Sequence, residues 1–120
     1  MAKDYKELIV WQKAMDLVVE VYDLAKRLPK EELYALSDQM RRAAVSVPSN
    51  IAEGHSRSST KEFIQFLSIA KGSNAEVQTQ LFICVRLQYL TDEQISKAVA
   101  LSFEVGKMIN SIMQRIPTNH

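Results

Sequence analysis

The chain has 120 residues, and its 47% hydrophobic and 24% charged content excludes a disordered protein and fits one globular domain, residues 1–120. Its net charge is only +1, whereas a dedicated nucleic-acid binder usually carries an excess of basic residues. A local basic patch is still compatible with this net charge. Only three glycines and three prolines interrupt the chain, which predicts a few long elements and hence an all-α fold.

The first predicted helix covers residues 5–28 and stops at Pro29, because proline cannot continue a helix. Its apolar residues recur at alternating spacings of three and four, while the opposite face is charged. The predicted buried stripe consists of Leu8, Trp11, Met15, Val18, Tyr22 and Ala25.

The second predicted helix covers residues 31–54. It begins with Glu31 and Glu32, which suit the positive helix N-terminus, and it ends at Gly54, because glycine accepts the left-handed C-cap conformation. Its predicted buried stripe consists of Leu33, Leu36, Met40, Ala43, Ala44, Val47 and Ile51.

Pro48 lies inside this second helix. It lacks the backbone N–H and crowds the carbonyl of Ala44, which predicts a bend near residues 44–48. The alternative is a break, with Asn50 capping a new turn and Glu53 reaching back to it. The buried stripe keeps its phase across the proline, which favours a kinked but continuous helix.

Two further helices follow the polar loop HSRSS at residues 55–59. Capping-box spacings, Ser59 with Glu62 and Thr91 with Gln94, predict that they cover residues 60–90 and 92–116. Their predicted buried stripes are Phe63, Leu67, Ala70, Val77, Leu81, Cys84 and Leu87, and Ile95, Ala98, Val105, Ile109, Ile112 and Ile116. Short connections between four long helices predict an antiparallel up-down-up-down four-helix bundle with a proline-kinked second helix.

Apolar residues also occur outside these stripes. They are Ala14, Leu17, Val21 and Leu24 in the first helix, and Ile64, Phe66, Ile69, Phe82, Ile83 and Val85 in the third. A monomeric bundle needs about three-sevenths of each helix to be apolar. The excess predicts a second buried surface, and self-association is favoured over a generous monomer core. Gly72, inside the third helix, predicts the close approach of another helix.

Positive charge is concentrated between residues 41 and 71. The candidate phosphate-contacting residues are Arg41, Arg42, Arg57, Lys61 and Lys71. The alternative, which we favour, is that Arg42 pairs with Asp38 or Glu53 and that the other cations are solvated.

A second candidate group is Pro48, Asn50, Glu53 and Gly54, which we interpret as a structural motif. Asn50 and Glu53 resemble a catalytic acid with a polar neighbour, but the sequence supplies no partner base, metal-ligand set or glycine-rich phosphate cradle. We therefore expect ion pairing and hydrogen bonding from them, no cofactor, and no enzymatic activity.

The remaining reactive side chains are interpreted as structural. His55 and His120 are too far apart in sequence to suggest a metal site, and Cys84 and Trp11 lie on predicted buried stripes. A single cysteine, no signal-peptide pattern and no apolar run of membrane-spanning length predict a cytoplasmic protein.

The run QMRRAAVSVPSNIAEG, followed by SRSSTKEFIQFLSIAKGSNAE, resembles the four-helix-bundle family encoded in intervening sequences of bacterial 23S rRNA genes. LIVWQKAMDLVVEVYDLAKRLP and EELYALSDQ extend the resemblance over residues 8–90. That family is similar to accessory proteins of diversity-generating retroelements, which partner a reverse transcriptase and bind nucleic acid through basic surfaces. The resemblance implies a homopentameric barrel of four-helix protomers, without an established activity.

Two functional hypotheses follow. The first is a non-enzymatic oligomeric scaffold that binds RNA or a nucleoprotein partner. The alternative is a protein–protein interaction module with no nucleic-acid role.

Overall fold

Four α-helices form a bundle in the computed structural model, which describes residues 4–117. The helices are α1 (Ile9–Ala25), α2 (Leu36–His55), α3 (Thr60–Arg86) and α4 (Asp92–Arg115), with short 3-10 turns at Tyr5–Glu7 and Lys30–Glu32. The bundle measures 48 × 25 × 23 Å. The described residues contain no strand, and none of their helices is long and apolar enough to cross a membrane. The predicted domain also includes residues 1–3 and 118–120, so its outer limits and His120 lie outside the described residues.

The predicted helix ends are confirmed best where a side chain caps the backbone. Ser59 Oγ accepts a hydrogen bond from the Glu62 N–H at the start of α3. Thr91 and Gln94 form a reciprocal capping box at the start of α4, with bonds of 3.1 and 2.9 Å. Without such signals the first two helices were predicted too long, since residues 5–7 and 30–32 form separate 3-10 turns.

The core consists of two clusters, and each draws side chains from all four helices. One cluster joins the later part of α1 and α3 to the early part of α2 and α4, through residues such as Leu24, Met40, Leu81 and Ile95. The other joins the opposite helix parts, through residues such as Val10, Ile51, Leu67 and Ile109. The predicted stripes of the second, third and fourth helices supply most of these side chains, although Leu33 and Leu87 are exposed.

The predicted buried stripe of the first helix is wrong in its phase. The buried residues of α1 are Val10, Ala14, Leu17, Val21, Leu24 and Ala25. Met15 and Tyr22, which were predicted to be buried, are 41% and 40% exposed. The helix is apolar on two adjacent faces, and the face that packs into the core is the one that includes Ala14. Tyr22 is therefore left at the edge of the core, partly exposed to water.

A buried polar contact that the sequence did not predict joins α3 to α4. Asn74 Nδ2 donates to the Ser102 carbonyl at 2.9 Å, and Ser102 Oγ donates to Asn74 Oδ1 at 3.0 Å. Both residues are buried, so each satisfies the polar groups of the other and fixes the relative position of the two helices. The predicted close approach at Gly72 is wrong, because a Cβ there would meet nothing within 4 Å.

Candidate nucleic-acid surface and the Pro48 motif

The α2 helix is continuous through Pro48, so the alternative of a break is wrong. Asn50 does not cap a new turn. Its Nδ2 donates to the Ser46 carbonyl and to Ser46 Oγ, at 2.8 and 2.9 Å. Ser46 Oγ in turn lies 2.7 Å from Ser73 Oγ on α3. The polar residues around the proline therefore link α2 to α3, while the bend itself stays a prediction.

Gly54 is needed for packing and not for a left-handed cap, which corrects the prediction. It lies inside α2, and no glycine of the described residues has a positive φ. A Cβ at Gly54 would lie 2.7 Å from Phe66 Cβ and 3.0 Å from Phe63 Cδ1. Only a residue without a side chain lets α2 approach α3 this closely.

Glu53 and Arg57 form an ion pair one turn apart, with Arg57 Nη2 2.9 Å from Glu53 Oε2. The guanidinium carbon of Arg57 lies 4.9 Å from the centre of the Phe66 ring. The acid therefore holds the arginine over α3, as expected for the structural interpretation. Both side chains are more than 40% exposed, so the pair is worth at most about 1 kcal/mol.

Arg41 and Arg42 point to different surroundings. Arg42 Nε donates to Asp38 Oδ2 at 2.8 Å, which agrees with the pairing alternative, yet the Arg42 side chain remains 79% exposed. Arg41 Nη2 donates to the Leu33 carbonyl at 3.3 Å, and its guanidinium carbon lies 5.9 Å from the Tyr22 ring centre. Arg41 therefore lies at the junction of α1 and α2.

Lys61 and Lys71 are both exposed on α3. Ten residues separate them, which is about 15 Å along a helix. Lys71 follows Phe66 by five residues, a rotation of about 140°, so it points away from the side of α3 that meets Arg57. A phosphate-contacting role for these five cations stays a prediction.

An apolar strip lies beside Arg41, and we call it the α1–α2 strip: Met15, Val19, Tyr22 and Val45. Its most exposed member is Val19, at 66%. A shallow cleft of about 460 Å³ adjoins it, lined by residues that include Asp38, Arg41 and Arg42. The strip was missed in the sequence because the phase of α1 was assigned incorrectly.

The remaining candidate side chains contribute to packing. The His55 ring meets the Phe63 ring edge to face, with centroids 5.9 Å apart. Cys84 is fully buried with its Sγ 3.6 Å from Met40 Sδ, and burial followed by the negative charge of Glu32 raises the pKa of the thiol to about 11. A buried, protonated thiol is a poor nucleophile. Within residues 4–117, no group of three or more His, Cys, Asp or Glu side chains is placed to hold a metal ion.

The chain is similar to a known protein family and to a solved structure. The family described as 23S rRNA-intervening sequence protein matches residues 6–111. A crystal structure of a protein of unknown function from the S23 ribosomal protein family of Bacteroides thetaiotaomicron is similar, with a TM-score of 0.81 and 29% sequence identity. The similarity covers 88% of this chain and 98% of that one. No curated protein matches the chain.

Proposed function

Because this chain belongs to the 23S rRNA-intervening sequence protein family, we propose its function from its own surfaces: a non-enzymatic scaffold that self-associates and binds RNA. The observation that carries the proposal is the α1–α2 strip, which leaves four large apolar side chains 40–66% exposed along one side of the bundle. Leaving apolar area in water costs roughly 25 cal/mol per Å², so covering the strip with another protomer is favourable.

Further exposed apolar side chains, which we call the α3 row, lie on α3 and directly after it: Ile69, Phe82, Ile83 and Leu87, which are 39–51% exposed. Two different apolar surfaces favour a heterologous contact, in which the strip of one protomer meets the α3 row of the next. Heterologous contacts close into rings when the rotation permits. We propose a homopentameric ring, the assembly that the family resemblance implies.

We also propose that the four helices run up-down-up-down and that α2 bends at Pro48. Each core cluster combines the early part of one helix with the later part of the next, which supports an up-down-up-down order. Pro48 cannot donate to the Ala44 carbonyl, and this supports a bend in α2. A bend there would shape the surface beside Val45, which belongs to the strip.

Val19→Asp is expected to convert the oligomer to single protomers, because a carboxylate on the strip would have to be desolvated at the contact. Light scattering or native mass spectrometry measures the change directly. Tyr34→Asp is the matched control, since Tyr34 is 91% exposed at one end of the bundle and belongs to neither the α1–α2 strip nor the α3 row. It should leave the mass unchanged. A wild-type protein that is a single protomer at high concentration would contradict self-association.

Arg41→Ala combined with Arg42→Ala is expected to weaken RNA binding and to flatten its salt dependence. The slope of log K against log salt should fall by roughly one for each phosphate that the variant no longer neutralises. Fluorescence titration of a structured RNA at several salt concentrations provides the slope. Arg27→Ala is the control, because Arg27 is an exposed arginine paired with Asp23 within α1 and its following turn. An unchanged slope in the double variant would exclude these residues as the phosphate contacts.

The alternative function, a protein–protein interaction module with no nucleic-acid role, has its own supporting observation. Arg42 and Arg57 already pair with carboxylates in the protomer, and the net charge is only +1. If wild-type protein at micromolar concentration binds no structured RNA at low salt, this alternative replaces the RNA-binding proposal.

A further inference from the structure

A cavity of about 560 Å³ opens at the end of the bundle where α2 passes into α3. Its wall comes from three parts of the chain: the residue before α1, the α2–α3 connection and the end of α4. Its volume falls within the range of roughly 300–1,000 Å³ that is typical of small-molecule sites. Neither the apolar strip nor Arg41 and Arg42 contribute to it, whereas Arg57, one of the candidate phosphate-contacting residues, lines it.

The floor of the cavity is apolar. It is formed by Leu8, Phe63, Ile112 and Ile116, four half-buried side chains that also pack against one of the two core clusters. Because they pack against the core cluster, these side chains form an apolar surface that is anchored to the bundle. Such a surface gains free energy when it covers a hydrocarbon group.

The rim of the cavity is cationic and rich in hydrogen-bond donors. Arg57 comes from the α2–α3 connection, and Arg115 comes from the last turn of α4. A guanidinium has five N–H donors, and one nitrogen of each arginine is engaged within the protomer: Arg57 Nη2 faces Glu53, and Arg115 Nε donates to the Ser111 carbonyl. The hydroxyls of Ser58, Ser59 and Thr60 complete this side.

We propose that this cavity binds a small amphipathic anion, with its oxyanion head group between Arg57 and Arg115 and its hydrocarbon body on the apolar floor. The rim excludes a cationic head group, and the floor gives no partner for a polar body. The two arginines would hold a carboxylate or a phosphate through charge-assisted hydrogen bonds. This inference does not rest on RNA binding or on the ring, and either can fail without the other.

Isothermal titration calorimetry with octanoate and octyl phosphate tests the proposal on the full-length protein. Octanol, which lacks the charge, and acetate, which lacks the hydrocarbon body, should each bind at least tenfold more weakly than octanoate. The tighter of the two anions identifies the preferred head group. No saturable binding of either anion at millimolar concentration would overturn the proposal.

Two variants separate the contributions of the rim and the floor. Arg115→Gln should weaken octanoate at least tenfold and leave octanol unchanged, whereas Ile116→Asn should weaken both. Arg86→Gln is the matched control, because Arg86 is also an exposed arginine in the last turn of a helix but does not line the cavity. Equal octanoate affinity in Arg115→Gln and in wild type would also overturn the proposal.

Discussion

Gly54→Ala is expected to destabilise the protein by about 1–3 kcal/mol, the usual cost of overpacking a well-packed contact. The new Cβ would lie 2.7 Å from Phe66 Cβ and 3.3 Å from the Phe63 carbonyl oxygen. Neither atom is the far end of a flexible side chain, so relief requires α2 and α3 to move apart. Such a movement would also strain the Ser46–Ser73 contact, which joins the same two helices at 2.7 Å.

The same substitution at Gly72 provides a matched control with the opposite sign. Gly72 lies inside α3 and is exposed, and its added Cβ would meet no atom within 4 Å. Alanine there should stabilise the helix by up to about 1 kcal/mol, because it reduces the backbone entropy lost on folding. Urea unfolding followed by circular dichroism gives both free energies. Equal effects at the two positions would show that helix propensity alone, and not packing against α3, decides the cost at Gly54.

The helices that the sequence predicted most accurately are those with local signals. Ser59 and Thr91 cap α3 and α4 through contacts within three residues, so their spacing alone located the helix starts. Most of the buried stripes of α2 and α4 were also predicted, because their apolar residues recur at helical spacing. The end of α3 was predicted four residues late. Gln88, directly after the helix, takes up a left-handed conformation with a φ of 64°. Glycine is the residue that usually indicates this conformation in a sequence, and none occurs there.

The features that the sequence did not predict depend on contacts between helices. Asn74 and Ser102 are 28 residues apart, and their pairing follows only once α3 lies against α4. The role of Gly54 depends on where the Phe66 and Phe63 rings lie, which no pattern within α2 reveals.

Leu17→Ala is expected to cost about 2–5 kcal/mol, the range for removing a fully buried leucine side chain. Leu17 is 0% exposed and belongs to the core cluster that includes Leu24 and Met40. Met15→Ala should cost less than about 1 kcal/mol in the protomer, because Met15 is 41% exposed and already contacts water. The phase of α1 predicted from sequence gives the opposite order, so the pair decides between the two stripes.

Protein concentration separates the effect of Met15 on the protomer from its effect on assembly. An oligomer gains stability with concentration, because association favours the folded chains. If the α1–α2 strip is covered in the ring, the free energy of unfolding of Met15→Ala should approach that of wild type on dilution. The deficit of Leu17→Ala should persist at every concentration, since its cavity lies within a single protomer. If the loss of unfolding free energy in Leu17→Ala disappeared on dilution, Leu17 would belong to the contact between copies and not to the core of the bundle.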